Sequence, residues 1–286
     1  MKKILVTGAN GQLGQCLQKI SSQFEEFEFI FTDSETLDIT NKEEVNDFFW
    51  QNAPDFCINA AAYTAVDLAE TDIEKAFLVN ADGAENLAEA CAENNAQFIH
   101  VSTDYVFDGE NNLAYTEEDF TNPLGVYGAS KLAGDELALE VNPCSVILRT
   151  SWVYSEFGKN FVKTMLNLFA TKEELSIVAD QFGQPTNAND LAEAIMKIIK
   201  SEKITPGIFN FSNLGRISWF DFAEKIAELS DAKIKLNAIE TSQYPTPAKR
   251  PKNSVLDLGK ISKTYAIQLK PWEESLEDCV QILQNN

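Results

Sequence analysis

Histidine is almost missing: the 286 residues contain one, His100, inside the apolar run Phe98-Ile99-His100-Val101. Chemistry that needs a histidine base or a set of imidazole ligands is poorly served, and His100 reads as a strand histidine satisfied by its neighbours. The five cysteines, Cys16, Cys57, Cys91, Cys144 and Cys279, are odd in number and far apart, with no Cys-x-x-Cys pair. That spacing argues against a zinc ribbon or a dithiol redox couple and predicts free thiols, with no metal site. No apolar stretch reaches the roughly 18 residues of a membrane span. Met1-Lys2-Lys3 runs into a short strand-like segment rather than a leader, so the chain reads as cytoplasmic, with no membrane partner. Basic residues are scarce as well, 23 against 44 acidic ones for a net charge of −21. A field of that sign repels a polyanionic backbone, which argues against a nucleic-acid partner.

What remains is ordinary globular material, 44% hydrophobic and 23% charged with 13 Gly and 9 Pro, which excludes wholesale disorder and collagen-like repeats. The order of segments is more telling. Lys3 to Thr7 is an apolar run broken by Gly8, and Gln12 to Ile20 then carries Leu13, Leu17 and Ile20 at helical spacing. Glu28 to Thr32 reads as a second strand, and Thr40-Asn41-Lys42-Glu43 as a capping box opening a helix to Trp50. Strands at Phe56 to Asn59, Phe98 to Ser102 and Ser145 to Arg149 alternate with helices at Ile73 to Glu93 and Ser130 to Glu140. Short strands separated by helices demand parallel pairing, because parallel neighbours need a crossover that covers the sheet.

The expected fold is therefore α/β: a doubly wound parallel Rossmann sheet over residues 1–150, rejoined by a segment near 186–212, and a smaller mixed α/β lobe over 151–286. In that lobe helices are expected over Asn160 to Ala170, Asp190 to Lys200, Trp219 to Leu229 and Glu274 to Leu283, with a strand over Ile208 to Phe211.

Gly8-Ala9-Asn10-Gly11-Gln12-Leu13-Gly14 sets three glycines at intervals of three in the first strand-to-helix turn. Such a turn needs positive φ and lets backbone approach a pyrophosphate at a helix N-terminus, so the segment predicts dinucleotide binding. Asp33, at the end of the second strand, is placed to hydrogen-bond a ribose hydroxyl. No basic residue between Asp33 and Asn41 stands ready for a 2′-phosphate, so NADH is at least as well supported as NADPH. Further on, Tyr127 and Lys131 are four residues apart and share one face of a helix if it has begun by Tyr127. An ammonium beside the phenol favours phenolate and makes the pair a proton donor to a carbonyl oxygen. Ser102-Thr103-Asp104 precede the pair at a strand C-terminus, where open α/β sheets put their sites. In the last third, Thr241 to Leu256 holds no acidic residue while Lys249, Arg250 and Lys252 cluster there, a patch suited to a substrate diphosphate.

Together with Asn59-Ala60-Ala61-Ala62 and Pro123 to Lys131, these motifs resemble the extended short-chain dehydrogenase/reductases over essentially the whole chain. More narrowly, Asn59 to Asp67, Arg149 to Tyr154, Asp180 to Thr186 and Tyr244 to Pro251 resemble the dTDP-4-dehydrorhamnose reductase family. That resemblance implies NADPH- or NADH-dependent reduction of the C4 ketone of dTDP-4-dehydro-L-rhamnose, a small-molecule nucleotide sugar. It makes Tyr127 the proton donor, Lys131 the anchor of the nicotinamide ribose that lowers the tyrosine pKa, and Thr103 the hydrogen-bond partner of the reacting oxygen. It places Asp104 and Trp152 at the sugar, and Gly11, Gln12, Leu13, Asp38, Ile39, Ala62, Tyr63 and Thr64 at the dinucleotide beside Gly8, Asn10, Gly14, Ala60 and Ala61. A homodimer stays open. Relatives that bridge dimers through magnesium carry an acid where this chain has Cys16, and dehydratases carry Asp-Glu where it has Asp104-Tyr105. The alternatives are another nucleotide-sugar reductase or epimerase on the same scaffold, or a non-catalytic dinucleotide-binding regulatory subunit.

Overall fold

Ile4, Leu5 and Val6 are all fully buried, as befits a parallel strand covered on both faces. They belong to β1 (Lys2–Thr7), which lies inside a six-stranded sheet with β2 (Phe27–Phe31), β3 (Phe56–Asn59), β4 (Gln97–Thr103), β5 (Val146–Thr150) and β10 (Gly207–Asn210). The computed structural model describes residues 1–285. The strand order is β10-β5-β4-β3-β1-β2 and every pairing is parallel. Because β2 and β3 flank β1 on opposite sides, the order reverses there and opens a crevice at the strands' C-terminal ends, where such sheets bind ligands.

Helices cover both faces. On one, Leu13, Leu17 and Ile20 of α1 (Gln12–Ser21) pack with Leu191, Ile195 and Ile198 of α8 (Ala188–Ile199). On the other, Phe49 of α2 (Lys42–Asn52), Leu87 and Cys91 of α5 (Gly83–Glu93) and Ala138 of α6 (Val126–Val141) share a second core. Two local expectations give way. The cap of α2 is Asn41, whose Oδ1 accepts from the Glu43 and Glu44 N–H groups, not Thr40; Thr40 instead donates its hydroxyl to Asp38 at 2.7 Å. The helix expected from Ile73 to Glu93 follows the short α3 (Val66–Ala69) as α4 (Ile73–Phe77), a π-helical turn over Leu78–Asp82, and then α5. That turn carries Asn80, which bonds Tyr63 N at 2.8 Å and the Ser130 hydroxyl at 2.9 Å. Its buried amide ties α6 to the β3 loop, a contact that an uninterrupted α-helix does not place there.

After β5 the chain builds a smaller lobe and twice returns to the sheet, through α8 and β10 and then through α10 (Gly259–Tyr265), whose Ile261 and Tyr265 join the first core. The lobe holds α7 (Phe161–Phe169), α9 (Trp219–Leu229), α11 (Trp272–Asn285) and the parallel pair β7 (Glu174–Val178) with β12 (Lys235–Ile239). Two-residue strands complete it: β6 (Val153–Tyr154) with β9 (Thr186–Asn187), and β8 (Phe182–Gly183) with β11 (Ile217–Ser218). Tyr154, Met165, Phe222, Trp272 and Leu276 form its core. Among the described residues no helix is long and apolar enough to cross a membrane.

Candidate active site

At the C-terminal ends of β1, β2 and β3 lies a cleft of about 380 Å³. Gly8, Asn10 and Gly11 line it from the glycine turn, Asp33, Asp38 and Ile39 from beyond β2, and Ala60, Ala61 and Ala62 from beyond β3. Gly8 has φ of +70°, and a Cβ there would stand 2.6 Å from Ala61 N. At Gly14, outside the cleft wall, a Cβ would stand 2.6 Å from Ala9 Cα, so α1 presses backbone to backbone on the turn. The N-cap of α1 is Gly11, with no side-chain cap. The first N–H groups of that helix are therefore left for an anionic ligand, with the positive end of the helix dipole behind them. Gly8 and Gly14 let the turn pack against the β3 loop and α1 at distances no side chain allows, which holds the Gly11 end of α1 at the cleft, an arrangement that suits a pyrophosphate.

The other expected cofactor residues divide. Asp33 is at the cleft, yet its Oδ2 already accepts from Asn10 Nδ2 at 2.6 Å and its Oδ1 from Thr36. Those bonds, the Thr36 hydroxyl foremost, hold its carboxyl below the usual range. The Leu13 side chain is core. Gln12 turns away from the cleft: its Oε1 accepts from Ser155 and Asn160 and its Nε2 donates to Val153 O, fastening α1 to the smaller lobe. Tyr63 and Thr64 stand outside the cleft wall, with the Tyr63 hydroxyl donating to Asp72 at 2.9 Å. For Gln12 and Leu13, only backbone is left to meet a dinucleotide.

The proton-transfer group assembles where β4 ends against the start of α6. That helix begins at Val126, so Tyr127 and Lys131 do share a face. Its first N–H, on Val126, is received by Glu70 at 2.9 Å. Thr103, the last residue of β4, turns its hydroxyl to the Tyr127 phenol and also to Asp104 Oδ1 at 3.1 Å. The Tyr105 ring meets Tyr127 edge-on at 5.5 Å. The expected lowering of the tyrosine is not found in the free chain. Burial outweighs the Thr103 hydrogen bond, helped by Asp104 and Asp135, and pushes Tyr127 up to about 12. Lys131 is 1% exposed and burial brings its amine down to about 8. Its Nζ contacts His100 Nε2 at 3.0 Å and donates to Val101 O at 2.8 Å. Behind it Asp135 takes the Arg149 Nε at 3.3 Å, and both are buried. Sequence reasoning missed His100, Asp135 and Arg149. The available signal was the spacing Tyr127, Lys131, Asp135 along one helix face, opposite His100 and Ser102 on one face of β4.

Of the residues expected at the sugar, Asp104 is 1% exposed and burial pushes its carboxyl up to about 6. Its Oδ2 has no protein partner. Trp152 has φ of +46°, costly for a bulky residue, and it is held by a stack on Trp219 with centroids 3.5 Å apart and by the bare backbone of Gly183. Trp219, Phe161, Ile177, Gln181 and Arg250 line a second cavity of about 410 Å³. Arg250 departs from expectation. Its guanidinium grips both Asp67 oxygens at 2.9 and 2.8 Å, so the fork expected for a diphosphate is occupied and instead joins α3 to the segment after β12. Lys249 is exposed beside it. A wider cleft of about 580 Å³ between α1, α8 and α11 touches none of the residues expected at the site.

Comparison with known proteins agrees with this fold. Residues 1–285 match the family model described as RmlD substrate binding domain. The dTDP-4-dehydrorhamnose reductase of Aggregatibacter actinomycetemcomitans is 45% identical over 288 residues, covering 97% of this chain and 98% of that one. The crystal structure of a dTDP-4-dehydrorhamnose reductase from Clostridium acetobutylicum superposes with a TM-score of 0.94 at 43% identity over 99% of each chain. That of the Bacillus anthracis enzyme in complex with NADP gives 0.95 at 39% identity, over 99% of this chain and 100% of that one. With sheet, glycine turn, Thr103, Tyr127 and Lys131 in one frame, and with similarity of this extent, the chain belongs to the dTDP-4-dehydrorhamnose reductase family.

Proposed function

We propose that this chain reduces the C4 ketone of dTDP-4-dehydro-L-rhamnose to the alcohol of dTDP-L-rhamnose, using NADPH or NADH. The observation that carries the reading is the approach of Thr103, the last residue of β4, to the Tyr127 phenol near the start of α6, in a chain that also has the glycine-walled cleft and whose relatives match over nearly its whole length. The reduced nicotinamide supplies a hydride to C4 when bound. The free N–H groups at the start of α1 hold the pyrophosphate, and Asn10 and Asp33 face the adenosine side of the cleft. Tyr127 gives its proton to the C4 oxygen as that oxygen gains charge. A phenol held near 12 is a stable donor, and the reaction needs it un-ionised beforehand. Thr103 orients that phenol, and Asp104 offers its unpartnered Oδ2 to a sugar hydroxyl. The apolar cavity by Phe161 and Trp219 takes the nucleobase. Residues 1–150 with 186–212 serve the dinucleotide, and the remaining C-terminal residues serve the nucleotide sugar. Free cysteines throughout, among them the exposed Cys144, support a cytoplasmic setting.

The test follows loss of reduced-nicotinamide absorbance with the dTDP-keto sugar. Wild type should turn over, while Tyr127→Phe should lose about 10²- to 10⁴-fold in kcat at unchanged cofactor affinity. Binding without oxidation by wild type would move the chain to the regulatory class, and oxidation with a different nucleotide sugar alone would reassign the substrate.

A further inference from the structure

The single histidine is tied into a chain of hydrogen bonds whose donors can be assigned one by one. The Ala61 backbone N–H donates to Asn59 Oδ1 at 3.1 Å. A backbone amide is always a donor, so that atom is the carbonyl oxygen, and the Thr7 hydroxyl donates to the same oxygen at 2.7 Å. The Asn59 amide therefore presents its NH₂ to His100 Nδ1, 3.0 Å away. Nδ1 must accept, and a neutral imidazole then carries its proton on Nε2. Nε2 in turn lies 3.0 Å from Lys131 Nζ. Two nitrogens at that distance hold one hydrogen between them, and with the imidazole as donor the lysine must offer a lone pair.

We propose that His100 is a positioning residue that holds Lys131 in its amine form in the free chain at mildly alkaline pH, so that binding of an anionic dinucleotide draws a proton onto Lys131. His100 is not a relay: the Asn59 amide has no proton to pass on, so the imidazole sets the state of Lys131 without emptying it to solvent. The surroundings agree. His100 is 0% exposed, and burial followed by Lys131 keeps its pKa well below the ordinary value. Asp135 Oδ1 stands 3.8 Å from Nε2, too far for a hydrogen bond, and the other carboxylate oxygen, Oδ2, is engaged by Arg149 from β5. Tyr127, Asp104, Tyr105 and Glu70 are the other titratable groups at this end of α6. Asp135 favours the ammonium, and burial opposes it with the larger effect.

The proposal rests on the reading of Lys131 as a cofactor-site residue, and neither test uses the sugar, so failure of the substrate assignment leaves both standing. The first is nitrogen NMR of the imidazole in the whole chain, unambiguous because His100 is the only histidine. A neutral ring protonated on Nε2 is expected; an Nδ1–H tautomer or an imidazolium overturns the proposal. The second is calorimetric titration with NADPH in buffers of different ionisation enthalpy, above the Lys131 value of about 8. Wild type should take up close to one proton per site. His100→Asn keeps an acceptor for Asn59 but is too short to reach Lys131, and its uptake should fall toward zero. Equal uptake by the two proteins overturns the proposal. If the variant does not fold, wild-type uptake near zero does the same.

Discussion

Gly8 and Gly14 bring backbone against backbone at the end proposed for the cofactor, whereas Trp152 and Trp219 bring ring against ring at the end proposed for the sugar. The first kind of wall is fixed by the sheet: β1 and β3 pair over four residues, and the turn between β1 and α1 has nowhere else to go. The second is fixed by side chains, on residues that adjoin strands pairing over only two residues. A dinucleotide pyrophosphate asks for N–H groups and close approach, which backbone supplies. A particular sugar asks for shape and placed hydrogen bonds, which side chains supply and which vary without disturbing the sheet.

The comparison breaks most sharply at Gly14. In Gly14→Ala the new methyl has only the turn's own backbone to push, so we expect a loss near the upper end of the ~1–3 kcal/mol typical of overpacking. Cofactor affinity should fall more than tenfold. A denaturant melt and a fluorescence titration with NADPH read the two, and a variant as stable as wild type with intact affinity would show the close approach to be incidental.

A smaller and differently placed loss is expected at Trp219. Trp219→Ala removes one face of the Trp152 stack and a wall of the second cavity. Trp152 is then free to leave its φ of +46°. Stacking of this kind is worth about 0.5–1.5 kcal/mol beyond burial, so stability should drop by about 2 kcal/mol while NADPH affinity stays within about twofold. KM for the nucleotide sugar should rise much more. Parallel titrations with cofactor and with sugar nucleotide decide it: equal losses on both would erase the division between the two ends.

Legibility follows the same division. The strands of the sheet could be read because each is covered by its neighbours in sequence, so Phe56 to Asn59 announces itself by local pattern. Strands β6, β8, β9 and β11 could not, since two residues carry no period and their pairing depends on partners up to some thirty-five positions away. The family resemblance puts Gln12 at the dinucleotide, but its side chain goes to the smaller lobe, which the segment around it gives no means to foresee. Arg250 was read as free for a diphosphate because its neighbours in sequence are basic and not acidic. Its partner, Asp67, is 183 residues away. His100 was read as satisfied, which it is; that one of its partners is Lys131 depends on how α6 lies across β4.

The Asp67–Arg250 pair is also where the smallest effect and the sharpest distinction between stability and binding are expected. Both groups are partly exposed, 43% and 22%, so solvent screens the pair and its removal should cost less than about 1 kcal/mol. Arg250 holds the Asp67 carboxyl below its ordinary value. A lowered carboxylate contributes stability above its unfolded value and loses it as pH falls through the folded one, so Asp67→Asn should flatten the acid side of the stability profile and leave the neutral side nearly unchanged. Binding should move the other way. With the fork released beside the second cavity, Arg250 becomes available to the diphosphate of the nucleotide sugar. Asp67→Asn should therefore lower KM for the sugar nucleotide severalfold, and Arg250→Lys in the same background should abolish that gain because an ammonium does not grip two oxygens in parallel. A rise in KM on Asp67→Asn would mean that the bridge between α3 and the segment after β12 holds the sugar pocket in shape, and that Arg250 serves the substrate through its grip on Asp67.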